Sequence, residues 1–554
     1  MPTIHFTNQA TRLDVPAGTS LLEAVRRAGV ELETPCEGTG TCGKCRVRLS
    51  QATRSQAHEA DHDSLTQAER ADGLVLACLT TVEGDVEVGI ETPSAEGFKI
   101  LSEGQQVAVK LSPWITKILA TDNGQTRVLA GDQILTTEPG DTTDYVYGLA
   151  IDIGTTTLVV ALNDLRTGRE LGVASGLNPQ ARHGQDVLSR IKLGSSPEGL
   201  QTLHGELIRE LNHLIGELTQ QTGLLRDNIY EAVFGGNTTM LHLAVGANPA
   251  SLGKYPYTPA IVGGNHVSAQ QVGLELAPSG LVYLPPIISA YVGADITAGI
   301  LATSLETLSG VTLFVDIGTN GEMVLAVNGK LTATSTAAGP AFEGMNIACG
   351  MRAGRGAVEQ VIFTATGVDT QTIGNLPAIG ICGSGLLDAV GEMAAHQAVD
   401  KNGRFRSNGA AEGTPWKDHW TTLDGTTVFR ISGPVYLSQK DIRQVQLAKA
   451  AIRTGIDLML RANHLVPAQV DRVLIAGSFG FHLRTPSLIH LGMLPREFAD
   501  KVKFVGNTSK TGAQALLLSQ HARTQLSAVA KDVRSLELAN DDAFQKLFIQ
   551  ALSF

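Results

Sequence analysis

The sequence predicts an α/β protein in three parts: a small cysteine-bearing domain, a short linker domain and a large domain built from two copies of one fold. Three observations predict it. IDIGTTT at 151–157 and VDIGTNG at 315–321 are versions of one motif, their aspartates 164 positions apart. Each joins two apolar runs, YGLAI to LVVAL and VTLFV to MVLAV, which reads as strand, Asp-x-Gly-Thr turn, strand. Four of the six cysteines fall within the first 78 residues. In the two motifs a glycine lets the backbone approach a ligand, and free N–H groups and Thr hydroxyls suit phosphate. A single such turn is commonplace. Two at domain spacing point to a duplicated fold closing on one nucleotide. Asp152 and Asp316 are then expected to bracket Mg²⁺-ATP, since Mg²⁺ keeps several waters and takes few carboxylates. Gly154, Thr155, Thr156 and Thr157 are expected on the phosphates from the first turn, and Gly318, Thr319, Asn320 and Gly321 from the second.

The 554 residues are enough for three or four domains at about 150 each. With 43% hydrophobic and 18% charged residues the chain can build sizeable cores. A net charge of −11 argues against nucleic acid and permits a protein partner. No run of about 18 apolar residues is present, so no membrane span is expected. Residues 1–15 alternate polar and apolar and lack a signal-peptide core. The expected location is the cytoplasm, where clustered cysteines read as metal ligands and not as disulfides.

Residues 1–92 form the first predicted domain. TIHF at 3–6 and TRLDV at 11–15 read as strands, and 20–29 as a helix with Ser20 as N-cap, Glu23 completing a capping box and Gly29 as C-cap. Cys36, Cys42, Cys45 and Cys78 follow, with Gly38, Gly40 and Gly43 letting the loop wrap tightly. Thiolates bind soft iron well. The pattern resembles a 2Fe–2S ferredoxin of the β-grasp fold, with the wider first gap of the adrenodoxin-like branch. A Cys₄ zinc site is the alternative, although zinc ribbons usually carry two CxxC knuckles and Cys78 stands alone. The role expected from the resemblance is one-electron transfer.

Residues 93–144 are glycine-punctuated, with strand-like runs at 106–111, 116–119 and 127–129. They read as a small linker domain at a joint that allows relative movement.

Residues 145–554 carry the duplicated fold, as subdomains of about 145–310 and 311–554. In NPQARHGQDVLSRIK at 178–192 a helix is expected from Gln185, with Arg182, His183, Asp186 and Arg190 either on a solvated face or on a ligand or partner. Residues 206–222 show an apolar stripe at helical spacing. YEAVFGGNTTM at 230–240 reads as a buried strand into a turn opening a helix, either a phosphate-facing site or a plain N-cap. Asp295 follows Gly293 ahead of a helix, 21 positions before Asp316. Actin-fold sugar kinases place a general-base aspartate in a similar context, so Asp295 reads either as the group orienting the attacking water or as an N-cap. The Gly-rich run 336–359 carries Glu343, Arg352 and Arg355 and reads as a cover for the nucleotide or a transmitter of its state. VLIAGSFGFHL at 473–483 is a strand into a turn in which Gly477, Ser478 and Gly480 let an adenine approach, with Phe479 either stacking on it or in the core.

In order, hairpin, hairpin and Gly-Ser-Phe-Gly resemble the phosphate-1, phosphate-2 and adenosine motifs of the actin, sugar-kinase and heat-shock-chaperone ATPase superfamily, a ribonuclease H-like fold. That superfamily joined to a 2Fe–2S domain resembles the reductive activators of corrinoid proteins and corrinoid-dependent methyltransferases, as do NPQARHGQDVLSRI, GGNTTMLHL, AAGPAFEGMNIACGMRA and ICGSGLLD. The connector looks short beside family members with a larger middle domain. The resemblance implies an ATP-hydrolysing activator that returns one electron to stalled Co(II), a separate reductase or ferredoxin as donor, a corrinoid protein or methyltransferase as partner, and a homodimer. One alternative is an activator of another iron–sulfur enzyme, as for acyl-CoA dehydratases, for which Cys349 and Cys382 would be the cysteines available. The other is a redox sensor.

Overall fold

The computed structural model describes residues 1–7, 11–30, 32, 38, 40, 43, 45–62, 65, 67–90, 109–121, 124–406, 413–477, 483–538 and 541–554. Cys36, Cys42, Ser478, Phe479 and Gly480 lie outside these residues, as do 106–108 of the strand expected at 106–111, and the described part, 109–111, is not a strand.

At the N-terminal end, five strands form a mixed sheet in the order Thr11–Asp14, Thr3–Phe6, Val86–Gly89, Arg46–Leu49, Leu74–Leu76. Thr3–Phe6 runs parallel to Val86–Gly89, a pairing that requires a crossover. Helix Leu21–Arg27 lies in that crossover and buries Leu21, Leu22, Ala24 and Val25 in one core with Ile4, Phe6, Val47 and Val88. The Ser20 hydroxyl accepts from Glu23 N at 3.2 Å, as an N-cap should. The reciprocal half of the expected capping box is replaced, because the Glu23 carboxylate turns to Arg27. This is the β-grasp arrangement.

Ile115–Leu119, Thr126–Ala130 and Gln133–Glu138 make a three-stranded antiparallel meander. The expectation of a mobile joint needs correction for residues 109–144. A sheet this small cannot enclose a core of its own, so Ile115 and Val128 pack with Leu516, Leu517 and Leu526 of the large domain. Trp114 stacks on His266 with centroids 5.4 Å apart. Glu138 accepts from Lys117 at 2.7 Å and from the Tyr230 hydroxyl.

The large domain holds two sheets with the same strand plan. In the first, Glu170–Leu177, Thr157–Asp164 and Tyr147–Ile153 form an antiparallel meander, and Ile229–Gly236 and Leu281–Leu284 add parallel to it. In the second, Lys330–Thr336, Gly321–Val327 and Val311–Ile317 form the meander, and Arg472–Ala476 and Val502–Gly506 add parallel. The near-continuous burial of Tyr147–Ile153 and Val311–Ile317 follows from their central positions. Helix Pro197–Thr222 begins nine residues before the expected start, with Ser196 as N-cap and Pro197 in the first turn. It covers the first sheet with Leu207, Leu211, Leu214 and Leu218. Helix Gln439–Ala462 covers the second sheet. Helices Ala294–Thr303 and Thr508–Leu518 cross between the halves. They come so close at Gly512 that a Cβ there would stand 2.1 Å from the Ala298 carbonyl oxygen. Asp152 and Asp316 occupy equivalent places, each one residue from the end of its central strand, so both hairpin tips open into one cleft.

Candidate functional site

The cleft between the halves is lined by Asp152, Gly154, Thr155, Thr156 and Thr157 of the first hairpin and by Asp316, Gly318, Thr319 and Asn320 of the second. Asp295 and Gly477 also line it. Gly321 does not: its Cα faces Thr336 and Ile452, where a Cβ would come within 3.0 Å of either side chain. Gly477 has φ +115°, and a Cβ would stand 2.3 Å from the Ile317 carbonyl oxygen, so only glycine fits beside the second hairpin.

The first tip is clamped from outside its own motif. Asn178 donates to the Gly154 carbonyl at 2.8 Å, and Asn237 donates to the Thr155 hydroxyl at 3.0 Å while capping helix Thr238–Ala244. Arg190, read from the sequence as lying either on a solvated face or on a ligand or partner, is fully buried. It holds the Thr155 carbonyl and donates to Gln180 at 3.1 Å and to the Gly184 carbonyl at 2.8 Å. Burial pushes its guanidinium down to about 9 against the pull of Glu343 and Asp186. Arg182 and His183 face Glu206, and Asp186 caps helix Val187–Gly194.

The chemistry concentrates in four carboxylates. Asp152 accepts from Ser509 at 2.7 Å and Asn507 at 2.8 Å, both at the start of helix Thr508–Leu518. Asp295 is not the N-cap of its helix. Gly293 is, and Asp295 stands in the first turn with one oxygen on Ile296 N at 2.8 Å. Glu322 lies opposite Asp316 across the second hairpin. Burial raises Asp316 to about 8, helped by Asp295 and Asp152. Burial raises Asp295 and Glu322 too, with the neighbouring aspartates adding to it. Among the described residues, none that lines the cleft is basic. Such a set calls for an added cation, which fits Mg²⁺ carried in on a polyphosphate.

These raised values have a consequence for stability. The folded state holds protons that the unfolded state has released, so the contribution is full below about pH 4 and is lost as pH rises through 7 to 8. The melting temperature of the nucleotide-free protein should therefore fall from pH 5 to pH 8. Millimolar Mg²⁺ should offset most of the fall. A profile that is flat, or indifferent to Mg²⁺, would contradict this electrostatic picture.

Asn237 falls in the turn read from the sequence as either phosphate-facing or a plain N-cap, whereas Glu322, Asn507, Thr508 and Ser509 line the cleft without having been named from the sequence as ligands. Glu343 was noted only as a possible cover. It accepts the Thr156 hydroxyl on one oxygen and the Thr319 hydroxyl on the other, tying the two hairpins together.

In the β-grasp domain the Sγ atoms of Cys45 and Cys78 converge to 3.2 Å, well beyond a disulfide bond. Gly38 and Gly40 have φ +87° and +79°, and a Cβ on Gly40 would stand 2.9 Å from Leu79. Gly38 and Gly40 thus lie close against Cys78 and Leu79. Cys382 is buried, donates to the Val358 carbonyl at 3.3 Å and has its thiol pushed up by burial. That disfavours the thiolate a second cluster would need.

Comparison with known proteins agrees with this architecture. Residues 310–554 match a family model described as the C-terminal domain of RACo, the ASKHA domain. Residues 147–308 match the RACo middle region, and 4–83 the 2Fe-2S iron-sulfur cluster binding domain. The family's middle region therefore corresponds to the first six-stranded half and not to the connector, which removes the apparent shortness. The chain is 32% identical to the corrinoid activation enzyme RamQ of Eubacterium limosum over 77% of its length and 74% of that protein. It is 23% identical to a [Co(II) methylated amine-specific corrinoid protein] reductase of Methanosarcina barkeri, over 74% of this chain and 77% of that one. A solved reductive activator for a corrinoid, iron-sulfur protein superposes over 100% of this chain and 98% of its own, with TM-score 0.74 and 32% identity. With both halves of the architecture matched, the chain belongs to the family of corrinoid-protein reductive activators, in which a 2Fe–2S ferredoxin domain is joined to an actin-like ATP-binding domain.

Proposed function

We propose that the protein is an ATP-dependent activator that returns one electron to Co(II) of an inactivated corrinoid protein or corrinoid methyltransferase, restoring Co(I). The observation that carries the reading is the union, in one chain, of a cysteine-bearing ferredoxin domain and a cleft lined by five carboxylates between duplicated phosphate hairpins. Its relatives are named for activating or reducing corrinoid proteins.

Cys36, Cys42, Cys45 and Cys78 hold the 2Fe–2S cluster, which supplies a one-electron carrier near roughly −400 mV if it behaves as plant-type clusters do. Asp152 and Asp316 would hold Mg²⁺, which would supply the positive charge that the acidic cleft needs to accept a polyphosphate. Thr155, Thr156, Thr319 and Asn320 donate to phosphate oxygens. Gly477 opens the path for the adenosine. Asp295 orients the attacking water and takes its proton. If the cobalt couple lies below the donor, each 59 mV costs about a factor of ten in yield. Coupling to ATP removes that limit when the partner binds one state of the ATPase better than the other. On the family resemblance, a separate reductase or ferredoxin supplies the electron, the working unit is a homodimer, and the chain divides near residues 92 and 144.

The test is spectroscopic. Reduced protein mixed with a Co(II) corrinoid protein and Mg²⁺-ATP should develop the Co(I) absorbance, and ATP hydrolysis should rise when the Co(II) partner is added. If Co(I) never forms with any corrinoid partner, the reading fails.

A further inference from the structure

The geometry points to Glu343 as a positioning residue that locks the two phosphate hairpins together when nucleotide is absent and must release them when it binds. The inference rests on the nucleotide-binding reading above and adds to it the element that reports occupancy.

Thr156 and Thr319 stand on different halves of the large domain, and each donates its hydroxyl to a different oxygen of Glu343. Those hydroxyls are the ones placed to meet phosphate oxygens. A carboxylate and a terminal phosphate present the same chemistry to them, both anionic acceptors, and each hydroxyl has one proton to give. They also repel each other. Arg190, buried behind Thr155, lies within the field of Glu343. Glu343 thus occupies the place of a phosphate group between the tips. A polyphosphate entering the cleft has to displace it.

The surroundings show where such a displacement goes. Glu343 ends the 3₁₀ turn Pro340–Glu343, with Gly339 and Gly344 at φ +78° and +79° on either side. This turn packs on helices Gly383–Ala395 and Gln439–Ala462. A Cβ on Gly383 would stand 1.8 Å from the Phe342 carbonyl oxygen, and one on Gly350 would stand 2.1 Å from that of Gly344. The turn cannot slide without moving the segment 344–351. That segment is pinned at three points. Ala348 N donates to Asp441 at 2.8 Å, Met351 N donates to the Ile381 carbonyl at 2.8 Å, and Ile381 N donates to the Cys349 carbonyl at 2.8 Å. Asp441 also forms the capping box of helix Gln439–Ala462. Cys349 Sγ accepts from Tyr436 N at 3.5 Å, and Tyr436 lies within the electrostatic reach of Arg46 and Glu69 in the ferredoxin domain. Release of Glu343 therefore loosens a segment that leads from the nucleotide cleft toward the electron-carrying domain.

The experiment compares wild type with Glu343→Gln, a variant of the same size that removes the charge. Affinity for a non-hydrolysable Mg²⁺-ATP analogue is measured by titration, and amide hydrogen exchange is followed over 344–351 with and without it. The variant should bind about tenfold more tightly, the scale of one charge-assisted hydrogen bond that no longer has to be broken. In wild type, the analogue should speed exchange across 344–351. In the variant, exchange there should be fast already and unchanged by the analogue. A merely structural role would not tighten binding. Weaker binding by Glu343→Gln would make the residue a ligand of the nucleotide or its metal and overturn the lock. Equal affinities would overturn it too, as would exchange at 344–351 that ignores the analogue in wild type, a result that needs no variant. Failure of wild type to bind the analogue at all would overturn the nucleotide reading and the lock with it.

Discussion

Asp295→Asn is expected to keep Mg²⁺-ATP binding and to lose about 10²- to 10⁴-fold in hydrolysis, the range for a positioned acid–base group. That is about 3–5 kcal/mol of barrier. The residue stands in the first turn of helix Ala294–Thr303, its carboxylate open to the cleft and one oxygen held by Ile296 N. Burial and the nearby Asp152 raise its affinity for a proton, which is what a base needs near neutral pH. Asparagine keeps the volume and the bond from Ile296 N, so the fold should stand, but an amide cannot take a proton from water. Binding is read by titration with a non-hydrolysable analogue and turnover by phosphate release. Co(I) formation should fall with turnover while the ferredoxin domain still accepts its electron. Turnover within about threefold of wild type would remove Asp295 from the chemistry.

Cys78→Ala is the second large effect. Anaerobically purified wild type should carry two irons and two sulfides per chain, as a four-cysteine 2Fe–2S site requires. The variant should lose the reduced-state EPR signal altogether and lose Co(I) formation with it. Its ATP hydrolysis, measured without the corrinoid partner, should stay close to wild type, because the cysteine lies in the separate β-grasp core. Zinc at one per chain with no iron, in wild type, would replace the ferredoxin reading by the Cys₄ alternative.

What the sequence made legible was whatever lay close together along the chain. The hairpins at 151–157 and 315–321, the Ser20 cap and the apolar stripe of Pro197–Thr222 are all local patterns, and the structure places them as expected. What stayed hidden depends on contacts across long separations. Asn507 and Ser509 reach Asp152 from 355 and 357 positions away. Glu343 meets Thr156 from 187 positions away. No periodicity encodes such a meeting. Arg190 read either as part of a solvated face or as a group on a ligand or partner, because its helix is polar. Its burial follows from the carbonyls of Thr155 and Gly184, which need a donor inside the fold. Asp295 read either as the group orienting the attacking water or as a cap, and the cap position falls two residues earlier, on Gly293, whose close approach to Asn237 and Thr238 leaves no room for a side chain. The linker looked mobile because it is rich in glycine. Ile115, Val128 and Trp114, which pack it onto the large domain, are too few to form a pattern.

The most direct measurement is the yield of Co(I) against ATP consumed, with chemically reduced protein and a Co(II) corrinoid protein at equal concentration. Co(I) should accumulate in step with ATP hydrolysed, stop when ATP is exhausted, and fail to form with the non-hydrolysable analogue or with Asp295→Asn. Full-yield Co(I) formation without nucleotide would contradict the central claim, because the ATP-binding domain would then take no part in driving the electron to cobalt.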